Sequence, residues 1–329
     1  MTASRVVNGA GNVEPGRRRA VEQAIIDLGY RRNPAAHALR SHGAPSWIIG
    51  FIVDDIKDSF FSQLARSVED ALAERGSMLL VASSDARADR AEELVRDLVA
   101  HNVDALIIAP PPGDQSYLSP TVTLGRPVLC VDRPPASAGV PAIVSDNRGG
   151  ARAAIDHLVA RGHRDIAYIG DDLGYTMRHR LDGYREALQA HGLAKRPELV
   201  RMDAYTASSV PAIVSELLTL DEPPTALFTA RNVTSLGALV GLHQLGRQRE
   251  IAQIGFDDLD LGTVVDPALS VVAQRLDDIG RQIVENLVSR LQGHPTAETV
   301  TTVPVDLVRR GSSEIPGPRR SGTVARARC

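Results

Sequence analysis

At six places in this chain of 329 residues an acid or an arginine directly follows a short apolar run: Asp54-Asp55, Asp132-Arg133, Asp146-Asn147, Asp171-Asp172, Arg231-Asn232 and Asp257-Asp258. Carboxylates accept, and guanidinium groups donate, paired hydrogen bonds in fixed planes, which suits the vicinal hydroxyls of a sugar or the edge of a purine. Phe60-Phe61 follow the first pair in a chain that is only 4% aromatic, and a ring there can cover the apolar side of such a ligand, although at least one of the two serves the core. Taken singly, each acid is better read as a cap on the next helix. Several of them converging on one cleft make a binding site.

Other chemistry finds no support. There is no G-x-G-x-x-G after a strand, no G-x-x-x-x-G-K-[ST], no H-E-x-x-H and no G-x-S-x-G. The nine histidines are dispersed, and His157 and His163 fall at a helix end and its turn, where capping is the commoner role. Cys130 and Cys329 make neither a disulfide framework nor a zinc cluster. The expectation is a binding protein with no catalytic residue, no cofactor and no metal.

To bring the strand-end positions together the chain offers short apolar runs alternating with helical patterns. WIIGFIV (47–53), MLLVA (78–82), ALIIA (105–109), VLCV (128–131), IVS (143–145), IAYIG (166–170), ALFTA (226–230) and QIGF (253–256) are the apolar runs. Helical spacing between them is carried by Leu64, Val68, Ala71 and Leu72, by Ile155 and Leu158, by Leu181 and Leu188, and by Leu236, Leu239 and Leu242. Strands this apolar, separated by helices, imply doubly wound parallel sheets covered on both faces, an α/β fold. The stretch is too long for one comfortable sheet, so two lobes are expected, with a ligand cleft at the carboxyl ends of the strands.

Composition bounds the rest. At 43% hydrophobic and 23% charged the chain can bury a large core. It holds neither an apolar run long enough to span a membrane nor a signal-peptide core, so a cytoplasmic location without membrane contact is expected. Overall charge is −3, unevenly spread: residues 1–45 carry seven arginines against three acids, a balance of +4 that leaves −7 for the remainder. A basic segment on an acidic body is the pattern of a nucleic-acid arm, although a solvated helix face gives the same charge. From Arg17 to Leu28 one amphipathic helix is expected, stopped by Gly29, and Asn33-Pro34 can start a short second segment, AAHALRS.

With these elements placed, the residues resemble the LacI/GalR family of bacterial transcription regulators along essentially the whole chain. TASRVVN (2–8) resembles the family's recognition helix, and LGYRRNPAAHALRS (28–41) its third helix end and hinge helix. DDIKDSFFSQLARSVEDALAERG (54–76), VDALIIAP (103–110), VSDNRGGARAAIDHLVARGHRDIAYIG (144–170), RLDGYREAL (180–188), ALFTARNVTSLGAL (226–239) and IGFDD (254–258) are similar in order and spacing. The resemblance implies a partial all-α helix-turn-helix headpiece (1–32), a hinge helix and linker (33–45), and a two-lobed periplasmic-binding-protein-like core. Its first lobe would comprise 46–146 plus 275–304 and its second 147–274 plus 305–312, with three crossings near 146–147, 274–275 and 304–305. Residues 313–329, rich in Gly, Pro, Ser and Arg, read as a disordered tail.

Carried over position by position, the resemblance makes Arg5 a major-groove contact and Thr2, Ser4, Asn8 and Asn33 phosphate or positioning contacts. Leu39 would be a wedge between base steps, with Ala36 among the small residues that let two hinge helices approach. For the effector pocket it implies Phe60, Phe61, Asp146, Thr176, Arg180, Tyr205 and Asp257; Asp146 lies where the chain should cross between lobes, and a role in that hinge is its alternative. The function so implied is an effector-responsive repressor, acting as a homodimer on a pseudo-palindromic operator and sensing a small polar ligand, a sugar or sugar derivative. Family headpieces carry a first helix and turn ahead of TASRVVN, so the helix-turn-helix reads as incomplete at its amino end, leaving Val6 and Val7 without the partner that buries them. The alternative is a ligand-binding sensor that has lost operator binding. Asp58-Ser59 stands where Asn-Pro is usual and Arg231-Asn232 where Asn-Asp is usual, both beside the cleft.

Overall fold

A computed structural model describes residues 2–7, 13–29, 47–73, 75–136, 139–172, 174–294 and 299–318. Two helices come first, α1 (Thr2–Val7) and α2 (Pro15–Asp27). α2 begins two residues before the expected Arg17, because Glu14 turns its carboxylate onto the amides of Gly16 (3.0 Å) and Arg17 (3.3 Å) and Pro15 pre-sets the first turn. It ends at Gly29, whose φ of 58° is the left-handed conformation that stops a helix. α1 packs on α2, and Val6 is only 8% exposed. The expectation that Val6 lacks a burying partner is therefore corrected. α2 itself buries no residue, and Ile26 and Leu28 stand largely exposed. The expected hinge helix falls outside the described residues.

From residue 48 the expected alternation appears: β1 (Ile48–Val53), α3 (Ser59–Ala73), β2 (Met78–Ser83), α4 (Ala88–Ala100), β3 (Ala105–Ile108), the short α5 (Pro120–Thr123), β4 (Val128–Val131) and β5 (Ala142–Ser145). A second series follows: α6 (Asn147–Ala160), β6 (Ile166–Ile169), α7 (Tyr175–Ala190), β7 (Val200–Arg201), α8 (Val210–Leu218), β8 (Ala226–Thr229), α9 (Asn232–Gln244), β9 (Ala252–Phe256) and β10 (Ser270–Gln274). α10 (Leu276–Leu291), β11 (Val300–Val303) and β12 (Val305–Val308) close the core. Periodicity did not single out β7, β10, β11 or β12. β7 has only two residues, and β11, VTTV, has one buried position, too few for an apolar run to show.

The strands form two six-stranded sheets, β2-β1-β3-β4-β5-β11 and β7-β6-β8-β9-β10-β12, parallel except where β12 runs antiparallel to β10. Strand for strand the second sheet repeats the first. Both are doubly wound, with the order reversing between β1 and β3 and between β6 and β8, and such switch points open a crevice at the carboxyl ends. The chain crosses between sheets after β5, after β10 and at Pro304 between β11 and β12. At the first two crossings Ser145 donates its hydroxyl to the Gln274 side chain.

Apolar runs that continuous need cover on both faces. α3 and α10 pack on one face of the first sheet, around Phe51, Ile107 and Leu129, while α4 closes the other around Ile52 and Ile108. On the second sheet α6 and α7 cover Tyr168, Phe228 and Phe256, and α8 and α9 cover Ile169 and Leu227. Each such fully buried side chain stabilises by roughly 1.5–3 kcal/mol relative to exposure. α6 and α7 touch so closely that a Cβ on Gly183 would sit 2.2 Å from the Arg148 carbonyl oxygen.

The tail expectation needs correcting for residues 313–318. Ser312 and Ser313 are buried, bonded to the Ser270 amide (2.8 Å) and hydroxyl (2.7 Å), and Glu314 pairs with His157 and Arg161. The Gly317 amide donates to the Arg161 carbonyl at 3.0 Å, where a Cβ on Gly317 would lie 2.3 Å from the Gly162 backbone. A composition that reads as disorder here meets the need for small residues at a close backbone approach. Residues 319–329 lie outside the described part.

Candidate functional site

Each lobe carries an arginine–aspartate pair at the carboxyl ends of its strands. In the first lobe Asp54 follows β1 and Asp132-Arg133 follow β4. Arg133 donates to Asp54 at 2.5 Å, to Asp132 at 3.1 Å and to the Pro110 carbonyl at 2.7 Å. In the second lobe Asp171 follows β6 and Arg231 follows β8, joined at 2.8 Å. The repeat extends to the backbone. Asp132, directly after β4, and Asp257, directly after the equivalent β9, hold φ of 67° and 69°. Left-handed conformations cost non-glycine residues about 1–2 kcal/mol and gather at functional positions.

Arg180, inside α7 and with a side chain only 3% exposed, is held from several sides. Its Nε donates to Asn147 Oδ1 (2.7 Å), its Nη1 to the Ala230 carbonyl (2.6 Å), and its guanidinium lies 3.6 Å over the Phe256 ring. Nη1 also reaches Asp257 at 3.5 Å, and Gln274 donates to the other oxygen of Asp257 at 2.6 Å. Burial pushes the Asp257 carboxyl up from its ordinary value, with Arg180 pulling against it. Asp132 is pushed up to about 6 by burial, with Arg133 and then Arg180 opposing, so groups of the two lobes lie within electrostatic reach of one another.

The lobes also touch directly. Asn232 donates to Asp58 (2.6 Å) and Ser59 (3.1 Å), and Arg231 lies 3.6 Å from Asp58. These are the two dipeptides that depart from the family pattern, and they meet across the cleft. Tyr175, at the start of α7, packs against the first lobe's core and stacks on His179 with centroids 3.9 Å apart.

The structure distributes the expected pocket residues unevenly. Arg180 and Asp257 are brought together, with Thr176 buried one turn before Arg180. Phe61 is a core residue among Leu64, Val68 and Phe51, while Phe60 is half-buried and meets Phe61 edge-on at 5.0 Å. Asp146 caps α6, accepting from the Gly149 amide at 2.8 Å, so its carboxylate serves the helix start. Tyr205 is 48% exposed at the rim, bonded to Asp172 at 2.8 Å. Resemblance-based selection missed Asp54, Asp58, Asp132, Arg133, Asn147, Asp171, Arg231, Asn232 and Gln274. All but Asp58 and Gln274 stood among the strand-end pairs, so position after a strand was the signal that found them. Among the DNA-binding candidates, Arg5 is exposed on α1, and only the helical backbone is described for Thr2 and Ser4. Asn8, Asn33, Ala36 and Leu39 lie outside the described residues.

Residues 155–313 match the periplasmic binding protein-like domain. The HTH-type transcriptional regulator CelR of Thermobifida fusca is 32% identical over 320 residues, covering 93% of this chain and 91% of that protein. A solved complex of transcriptional regulator CelR with cellobiose is 30% identical, covers 94% of each chain and superposes with a TM-score of 0.72. The lac repressor dimer bound to operator and an anti-inducer is 26% identical, covers 95% of this chain and 94% of that one, and superposes with a TM-score of 0.83. Among the described residues no helix is long and apolar enough to cross a membrane.

Proposed function

The chain belongs to the LacI/GalR family of transcriptional regulators, and from that premise we propose that it is a cytoplasmic, effector-responsive repressor that binds a small sugar between its lobes and operator DNA through its amino-terminal helices. One observation carries this reading: Arg180 and Asp257, held by Asn147, Ala230 and Gln274 at the strand ends of one lobe, lie within electrostatic reach of Asp132 on the other. Such groups are pre-organised to exchange paired hydrogen bonds with hydroxyls. The lobes would be 46–146 with 275–304, and 147–274 with 305–318. Thr176, Phe60 and, at the rim, Tyr205 would complete the pocket around Arg180 and Asp257.

Occupancy would be transmitted mechanically. Because Asn232 and Arg231 of one lobe touch Asp58 and Ser59 of the other, a ligand bonded to both walls changes how far the lobes close, and closure biases the headpieces. The repressor acts as a homodimer in this reading. Leu236 and Val240, one turn apart on α9, are exposed together with Leu245, Leu261 and Val264, and large apolar side chains left in water on one lobe favour a second copy. Arg5 then reads the groove, with Thr2, Ser4, Asn8 and Asn33 on phosphates and Ala36 and Leu39 in the hinge. The site binds its ligand without turning it over.

The test pairs two measurements on the full chain. A thermal-shift panel of sugars finds the stabilising ligand and chromatography checks that it is unchanged. Mobility shifts with DNA flanking the protein's own gene, at stated salt, then ask whether that sugar alters operator affinity. Stabilisation with a changed shift is expected. Stabilisation with no shift in any condition would leave a sensor without operator binding, and conversion of the sugar would make the protein an enzyme; either result removes the repressor reading.

A further inference from the structure

The charge arrangement in the cleft narrows the class of ligand, given the reading of the cleft as a sugar site. Three guanidinium groups stand at or behind the strand ends, and each is already compensated. Arg133 spends Nε, Nη1 and Nη2 on Pro110, Asp132 and Asp54. Arg231 is joined to Asp171 and faces Asp58. Arg180 is joined to Asp257, Asn147 and Ala230. Five carboxylates therefore surround three cations, a balance of −2 when all are ionised.

Hydrogen-bonding capacity runs the same way. A carboxylate only accepts, and Asp54 and Asp132 each give Arg133 a single oxygen. What the walls lack is donors from a guest. A hydroxyl or an ammonium group supplies them. A phosphate or carboxylate at neutral pH brings acceptors only, so it leaves those carboxylate oxygens without a donor and sets its own charge against the −2 balance in a low-dielectric crevice.

We infer that the effector is an uncharged or amine-bearing polyol, and that the Asp54–Arg133–Asp132 and Arg231–Asp171–Asp58 groups exclude phosphorylated and carboxylated sugars. Asp58 and Arg231 are central to this. Where the family pattern gives Asn-Pro and Asn-Asp, this chain sets the Asp58 carboxylate 3.6 Å from the Arg231 guanidinium, so the cation it brings to the cleft faces an acid of the other lobe.

The test is isothermal titration of the full chain with matched series: D-glucose, D-glucosamine, D-glucose 6-phosphate and D-glucuronate, then D-ribose against D-ribose 5-phosphate, with cellobiose as an uncharged disaccharide. The anionic member of a series is expected to bind at least about tenfold more weakly than its parent, and an amine to bind as well or better. Asp54→Asn, which deprives Arg133 of one charge, should narrow that gap; circular dichroism confirms that the variant is folded. A phosphate or uronate binding as tightly as its parent overturns this inference and leaves the sugar-sensing reading standing. Silence from every sugar overturns the sugar-sensing reading, and the inference falls with it.

Discussion

Replacing Arg180 with methionine isolates the central claim, because Arg180 is 3% exposed and its partner Asp257 12%. Methionine keeps a polarizable side chain over the Phe256 ring, so packing is largely retained and the charge is removed. The carboxylate of Asp257 is then left buried, with Gln274 as its remaining partner and no opposing charge in contact. Breaking a buried pair from one side costs about 3–5 kcal/mol. The orphaned Asn147 oxygen and Ala230 carbonyl add roughly 1 kcal/mol or more each where water cannot reach them. Asp257 has one escape, to take up a proton, and burial already raises its pKa. Losing Arg180 raises it further above the unfolded value, so the variant's stability is greatest at low pH and falls as pH rises through the folded pKa. Urea unfolding followed by circular dichroism should therefore show a deficit of about 3–5 kcal/mol at pH 8 and a smaller one at pH 5. Arg180→Met combined with Asp257→Leu should recover much of it, because no unpaired charge remains. A deficit under about 1 kcal/mol, or one that is the same at both pH values, would show that Arg180 and Asp257 are not energetically coupled.

Two further outcomes test the contacts around this pair. Asn232→Ala removes the amide that bonds Asp58 and Ser59 across the lobes, a charge-assisted contact of roughly 1.5–3 kcal/mol. Without added sugar its small-angle scattering should give a larger radius of gyration than the parent's, and a profile that superposes on the parent's refutes an interlobe clasp. Asp132, held near pKa 6 against an ordinary 3.8, contributes stability that is complete below about pH 4 and is lost as pH rises through 6. The stability of the parent relative to Asp132→Asn should thus fall by about 2 kcal/mol between pH 4 and pH 7, and a difference that is flat with pH excludes the buried carboxyl.

The α/β fold was legible because its cause is local. IIGFIV, ALII, VLCV and ALFT are apolar at every position or nearly so, which only a strand covered on both faces requires, and the helical runs between them force parallel crossovers. The same logic made the ends of those strands the places to look, and seven of the nine cleft residues missed by resemblance stood there. The packed segment after Arg309 was not legible, since a Gly-, Pro- and Ser-rich stretch reads alike whether it is loose or pressed against Gly162.

Roles within the cleft were not legible either. Asp146 and Asp257 both follow strands; the first caps a helix and the second faces a buried arginine, and nothing in their neighbours tells them apart. Phe60 and Phe61 are adjacent and identical, yet only Phe61 belongs to the buried core. The sequence alone determined the long apolar strands, the helices between them and where their polar ends fall, though not β7, β10, β11 or β12, because periodicity and burial act over a few neighbouring residues. Only the tertiary structure decided that Asp58 meets Asn232, 174 positions away, and that each cleft arginine is met by an aspartate, because pairing in space depends on how two separately folded sheets are set against each other.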